Sequence, residues 1–156
     1  MAISTKEELQ FLLHRGWEIE KNFESLAAWK SFISVNSKNR TTVLTLVSDS
    51  HKHRLNIEKL LKTLGLEAPT SEIPEKVFDF TGMLDSEMLQ ETIKQDELAR
   101  DLYTKIVEKT DPKLVSALSA CEDAGFFYPT LRQMVDDEKK HINMVREIAG
   151  HVERIQ

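Results

Sequence analysis

The sequence places a carboxylate and an imidazole one helical turn apart near its C-terminus, at Glu138 and His141. Steps of three and four residues keep side chains on one face of a helix, so this pair shares a stripe with apolar residues of the same run: Leu131, Met134, Val145, Ile148 and Val152. The stripe predicts that both polar residues face the core. A charge buried there needs an ion pair, a hydrogen-bond network or a metal ion. The spacing is that of metal ligands on a helix.

The same pattern occurs in the first half of the chain. Asp49-Ser50-His51-Lys52-His53 aligns with Asp137-Glu138-Lys139-Lys140-His141, and the Asp, Lys and His positions agree. Upstream of each segment, an acidic residue stands three positions before an alanine, in Glu24-Ser25-Leu26-Ala27 and in Asp96-Glu97-Leu98-Ala99. We therefore interpret the chain as two copies of a helical hairpin.

Helix signals give the elements that must position these motifs. Thr5 begins a capping box, Gly65 is a natural C-cap residue, and Asp111-Pro112 supplies an N-cap followed by proline in the first turn. The predicted helices cover about 5–36, 41–64, 85–109, 112–123 and 129–153, with a long crossover at about 66–84. The predicted fold class is all-α. Residues 1–156 would form a single domain, in which two hairpins joined by the crossover make a four-helix bundle and a short extra helix precedes the last helix.

Each long helix carries a polar position within its apolar stripe, which predicts one shared site in the bundle core. With the first turn centred near Lys38, Glu24 lies opposite His53. Glu20, one turn earlier, would lie opposite Ile57. The predicted inward set is Glu24, Ser50, His53, Asp96, Glu138 and His141. Carboxylate oxygens with imidazole nitrogens suit iron or manganese, and the anionic ligands would allow two divalent cations to lie close together.

Composition restricts the classes of partner. The net charge of −5 argues against nucleic acid, because a phosphate-binding surface needs a basic excess. The chain has no run of about 18 apolar residues, so we expect no membrane span. The N-terminal residues lack a basic region followed by an apolar one, and a single cysteine, Cys121, excludes an intramolecular disulfide. These features predict a cytoplasmic protein.

These motifs resemble the ferritin-like superfamily, and most closely the rubrerythrin-type four-helix bundles. The resemblance covers nearly the whole chain. It rests on the two hairpins, the crossover, and the motif Asp96-x-x-Ala99-x-x-x-Tyr103 that leads to Glu138-x-x-His141. It implies a site that holds two irons and reacts with dioxygen or hydrogen peroxide.

The same resemblance implies a role for each candidate metal ligand. Glu24 and Asp96 would be terminal ligands and Glu138 a bridging ligand, while His53 and His141 would each bind one metal. The implied function is oxidation of ferrous iron, with iron as the cofactor and manganese or zinc as other possible ions. The catalytic residues beyond these ligands are not predicted.

Three departures from the family pattern leave other functions open. Ser50 stands where the family has its other bridging glutamate, Asp96 is one methylene shorter than the usual glutamate, and no Cys-x-x-Cys electron-transfer module is present. One alternative is a degenerate ferritin-like bundle without redox activity, which acts as a structural or partner-binding homo-oligomer such as a homodimer. Another is a mononuclear zinc or manganese site without redox turnover.

Overall fold

The structure is a computed structural model that describes residues 2–24, 37–70, 85–119 and 125–155. Within these ranges the secondary structure is helical, apart from a single bridge between Ile3 and Thr110. The helices are α1 (Lys6–Phe23), α2 (Ser37–Thr63), α3 (Asp85–Lys109), α4 (Pro112–Leu118) and α5 (Phe127–Ile155). The all-α class is therefore confirmed. None of the helices described is both long enough and apolar enough to cross a bilayer.

The four long helices pack as a ring in which each has two neighbours. Helix α1 packs against α2 and α3, and α5 packs against the same two helices. Neighbouring helices run antiparallel, as shown by the contacts Trp17–Glu58, Glu24–Arg54, Ile3–Lys109, Gly16–Tyr103, Thr110–Tyr128, Glu97–Arg146, Asp49–His141 and His53–Asp137. Helices α2 and α3 therefore run in the same direction, and Thr63 and Asp85 lie at opposite ends of the ring.

Several helix ends follow the signals in the sequence. Thr5 caps α1 through its side chain, and Asp111 caps α4 in the same way. Gly65 follows the end of α2, and its φ of 64° lies in the left-handed region that favours glycine. The N–H of Leu66 then donates to the carbonyl of Leu61 at 2.8 Å, as in a Schellman motif.

Other boundaries differ from the predicted ones. Helix α2 begins at Ser37 rather than Thr41, because the polar segment before Thr41 contains neither glycine nor proline and can continue a helix. Helix α1 ends at Phe23, and α4 ends at Leu118. Three parts of the prediction lie outside the described residues: 25–36 of the first helix, 71–84 of the crossover and 120–123 of the short helix, where Cys121 also falls.

A close approach between α1 and α3 fixes one aromatic ring in the core. Tyr103 is fully buried and packs against Gly16. A Cβ atom added at Gly16 would lie 2.9 Å from Tyr103 Cε1 and 3.3 Å from Ile57 Cδ1. The Tyr103 hydroxyl donates to Glu20 Oε1 at 2.6 Å, so the ring cannot retreat without disturbing that hydrogen bond.

This packing predicts that Gly16→Ala destabilises the protein. In an open helix the change would raise the free energy of unfolding by up to about 1 kcal/mol. Because the new methyl group would overlap the Tyr103 ring, we expect a decrease of about 1–2 kcal/mol instead. Urea unfolding measures the change, with Ser48→Ala at an exposed position of α2 as a control. An increase for Gly16→Ala would show that the packing contact is not limiting.

Candidate metal centre

Five ionisable side chains meet in the middle of the ring, and all of them are at most 2% exposed. They come from all four long helices: Glu20 on α1, His53 on α2, Asp96 on α3, and Glu138 and His141 on α5. Their ligand atoms form two groups of three, each with all atoms within 4.8 Å of one another. Ligands on opposite sides of a cation, each about 2.1 Å from it, lie about 4.2 Å apart. Each group therefore has the dimensions of a metal site.

Glu138 belongs to both groups, and its two oxygens face different histidines. Oε1 lies 3.1 Å from Nδ1 of His53. Oε2 lies 3.5 Å from Nδ1 of His141, which is too long for a good hydrogen bond. Glu20 completes the group of His53, and Asp96 completes the group of His141. Glu138 is thus shared by the two groups, which we call half-sites.

Two aspartates hold the histidines from outside, and each bonds a histidine on the neighbouring helix. Asp137 of α5 lies 2.9 Å from Nε2 of His53, and Asp49 of α2 lies 2.8 Å from Nε2 of His141. Both carboxylates are partly exposed, at 24% and 26%. A carboxylate at Nε2 favours a proton on that nitrogen and turns Nδ1 towards the cluster. Nδ1 of each ring is therefore the nitrogen available to a cation.

Tyr103 positions the carboxylate of Glu20. Its hydroxyl donates to Glu20 Oε1, and the same oxygen lies 3.2 Å from Nδ1 of His53. The Tyr103 ring also meets the His53 ring edge-on, with centroids 6.4 Å apart. The contact with Gly16 fixes the ring, and the ring fixes the carboxylate.

Some carboxylate oxygens of the cluster lack a partner. Among the described residues, Oε2 of Glu20, Oδ2 of Asp96 and Oε2 of Glu138 are buried without a hydrogen bond. Burying an oxygen that carries negative charge without a partner is costly, and such groups are rare in folded proteins. A cation in each half-site would satisfy all three oxygens.

The proton affinities of the cluster are strongly shifted. Burial and the charge of Glu138 raise the pKa of Glu20 to about 7, and the same causes raise the pKa of Asp96 well above its usual range. Burial would lower the pKa of His53, but its hydrogen bonds to Glu138 and Glu20 raise it to about 11. Burial would raise the pKa of Glu138, but His141 and His53 lower it to about 2. Without metal, protons balance the buried negative charge.

Glu24 lies outside the cluster, which corrects the predicted register. Its carboxylate is 17% exposed and accepts from Nε of Arg54 at 2.6 Å. Glu20 takes the place opposite His53 instead. Glu24 is the C-cap residue of α1, and its carboxylate also lies 2.6 Å from Nδ1 of His51, so it lies beside α2 near His53 but at a partly exposed position, whereas the residue one turn earlier is fully buried. The other four predicted ligands, His53, Asp96, Glu138 and His141, lie together, and the inward position predicted for Ser50 is buried.

The comparisons of the chain with protein-family models, with curated proteins and with solved structures give no match. The resemblance to ferritin-like proteins therefore stays a hypothesis drawn from the motifs. The cluster itself could hold a metal ion, since it offers carboxylate oxygens and imidazole nitrogens at suitable distances.

The raised proton affinities predict how the stability of the metal-free protein depends on pH. Glu20 contributes stability below its unfolded pKa of 4.5, and that contribution is lost as the pH rises through about 7. His53 contributes stability below pH 6.5 that is lost as the pH rises towards 11. The free energy of unfolding should therefore fall by roughly 4 to 5 kcal/mol from about pH 5.5 to about pH 8.5.

Urea unfolding in the presence of a chelator measures this pH dependence. Glu20→Gln keeps the shape of the protonated side chain and removes its titration, so the free energy of unfolding should decrease less over this pH range. Glu18→Gln changes a partly exposed residue of the same helix, and it should leave the pH dependence of the free energy of unfolding unchanged. A stability that rises with pH over this range would contradict the predicted protonation of the cluster.

Proposed function

We propose that the protein binds two divalent transition-metal ions in the core of the bundle. The single observation that carries this proposal is the position of Glu138 between two half-sites, each with one histidine and one further carboxylate. One cation would be held by Glu20, His53 and Glu138, and the other by Asp96, His141 and Glu138. The oxygens without a hydrogen bond and the raised pKa values of Glu20 and Asp96 support it, because both indicate buried carboxylates whose negative charge a cation could balance in place of protons.

Iron is the metal that this ligand set favours, with manganese next. The ligands are hard carboxylate oxygens and imidazole nitrogens without thiolate, a set that suits these ions more than soft metals. The motif resemblance to rubrerythrin-type proteins points to iron as well. Helices α2 and α3 run parallel, so the chain that connects them passes from one end of the ring to the other. Such a connection supports the ferritin-like arrangement that the resemblance implies.

We propose further that the protein oxidises ferrous iron with hydrogen peroxide or dioxygen. Bound iron would supply the one-electron redox chemistry. The residues of the chain supply the setting: Asp49 and Asp137 orient the histidines, and Tyr103 orients Glu20. Glu20 and Asp96 would release their protons when a cation binds in the place of those protons. The surrounding apolar side chains limit the access of water.

A second candidate function is a metal-free bundle whose polar core is structural. The observation that favours it is the bonding of His53 to three carboxylates, those of Glu20, Glu138 and Asp137. Ser50 in place of a second bridging carboxylate fits this function too. The protein would then serve as a scaffold or a partner-binding homo-oligomer.

Metal analysis of purified protein separates the two functions. After expression with added iron, manganese and zinc, we expect about two ions per chain, with iron preferred. Glu138→Gln keeps the shape of the bridging side chain but removes its charge, and it should abolish binding of at least one ion. Glu147→Gln changes an exposed residue of the same helix and should keep both ions. Protein that contains no metal under these conditions would favour the structural function.

The outer carboxylates should affect metal affinity without touching a metal. Asp137→Asn replaces the acceptor at Nε2 of His53 by an amide of the same shape, so the ring loses its charge support. We expect metal binding to weaken by about 10- to 100-fold, as is typical of carboxylates that bond a metal-binding histidine. Asp136→Asn, at the exposed neighbouring position, is the matched control. Competition with a coloured chelator measures both, and equal affinities would show that Asp137 does not support the site.

A further inference from the structure

The two Asp-x-x-x-His segments are related in the structure as well as in the sequence. Each aspartate bonds the histidine of the other segment, through Asp49 to His141 and through Asp137 to His53. In this arrangement Ser50 corresponds to Glu138, because each stands directly after its aspartate and three residues before its histidine. Ser50 is only 3% exposed, so its position faces the interior as that of Glu138 does. Its side chain ends at a single hydroxyl, where a glutamate would extend to a carboxylate.

We propose that a small carboxylate from solution, of the size of acetate, binds beside Ser50, at the position that corresponds to the carboxylate of Glu138 in the other segment. It would bind between the two cations as a second bridge beside Glu138, and the Ser50 hydroxyl would supply a hydrogen-bond donor. This inference rests on the proposed function, because it requires two bound cations.

The charge of the cluster supports a monoanion. Two divalent cations bring four positive charges, and the inner carboxylates of Glu20, Asp96 and Glu138 bring three negative ones. Asp49 and Asp137, which bond the histidines from outside, are 26% and 24% exposed, so water screens their negative charges in part. With neutral histidines, one positive charge remains among the buried groups, and the outer aspartates offset it only in part. Isolated charge in such a place is costly, and one bound monoanion removes it.

The number of ligands supports the same inference. Each half-site offers three protein atoms, and in the part of the chain that the structure describes no further Asp, Glu, His or Cys joins either group. Divalent transition metals in carboxylate and imidazole sites bind four to six ligands, so each cation keeps open positions. A carboxylate fits both at once, because its two oxygens can bind two cations as those of Glu138 would.

Cobalt gives a direct test, because the visible absorption of Co²⁺ changes with its ligands. The protein is loaded with Co²⁺ in a buffer without carboxylates, the bound metal is counted, and sodium acetate is added against sodium perchlorate of equal ionic strength. We expect a saturable spectral change with acetate and none with perchlorate. No acetate response in protein that holds two Co²⁺ ions would overturn the inference and leave the proposed function intact. Failure to bind Co²⁺, seen in the metal count before any acetate is added, would overturn both.

Substitutions at Ser50 locate the binding place. Ser50→Glu supplies a carboxylate from the chain, so it should weaken acetate binding by at least about tenfold and strengthen Co²⁺ binding by a similar factor. Ser50→Ala removes the hydroxyl donor without adding a carboxylate, so it should keep the response with a lower affinity for acetate. Ser48→Glu introduces the same side chain at an exposed position two residues away and should behave as the unmodified protein. An unchanged acetate response in Ser50→Glu would overturn the assignment to Ser50, and the acetate titration of the unmodified protein is decisive even if that variant does not fold.

Discussion

The burial of three carboxylates at one point of a helical bundle is the constraint on which the rest of the structure depends. Glu20, Asp96 and Glu138 cannot all carry charge in the core unless positive charge accompanies them. In the metal-free protein, the histidines and bound protons supply this positive charge. Glu20 and Asp96 hold such protons because burial and the charge of Glu138 raise the pKa of both carboxyl groups. The cluster therefore lowers the stability of the bundle, and burial of the apolar core must offset this loss. Cations could take the place of the bound protons, which makes the cluster a candidate metal site.

Precision in the cluster comes from residues that surround it. Tyr103 fixes Glu20 because Gly16 allows the ring to approach α1, and Asp137 fixes His53 across the interface between α2 and α5. Each of these contacts joins two neighbouring helices of the ring. The geometry of the cluster is thus a property of how the helices align, and a shift of one helical turn between two helices would separate its members.

The reach of sequence reasoning follows from which contacts are local. Glu138 and His141 were predicted to face inward because three residues on one helix determine a common face. The partner on α1 was predicted one turn away, at Glu24, since the alignment of two helices depends on the chain between them and not on their periodicity. Asp137 is not singled out by periodicity, because it lies beside the apolar stripe and is 24% exposed. The signal available in the sequence is that Asp137 aligns with Asp49 in the two similar segments. Its role follows only from the neighbouring helix, which places His53 beside it.

The difference between the two halves of the chain bears on how the proposed centre would work. Where both segments carried a glutamate, two tethered bridges would fix the separation of the cations and close the site. With Ser50 in one segment, only Glu138 would be a bridge that belongs to the chain, and the second would depend on what the solution offers. Net charge and cation separation would then vary with the bound anion. Because both properties govern how readily a metal changes its oxidation state, the exchangeable position, rather than the retained ligands, would determine the reactivity of the centre.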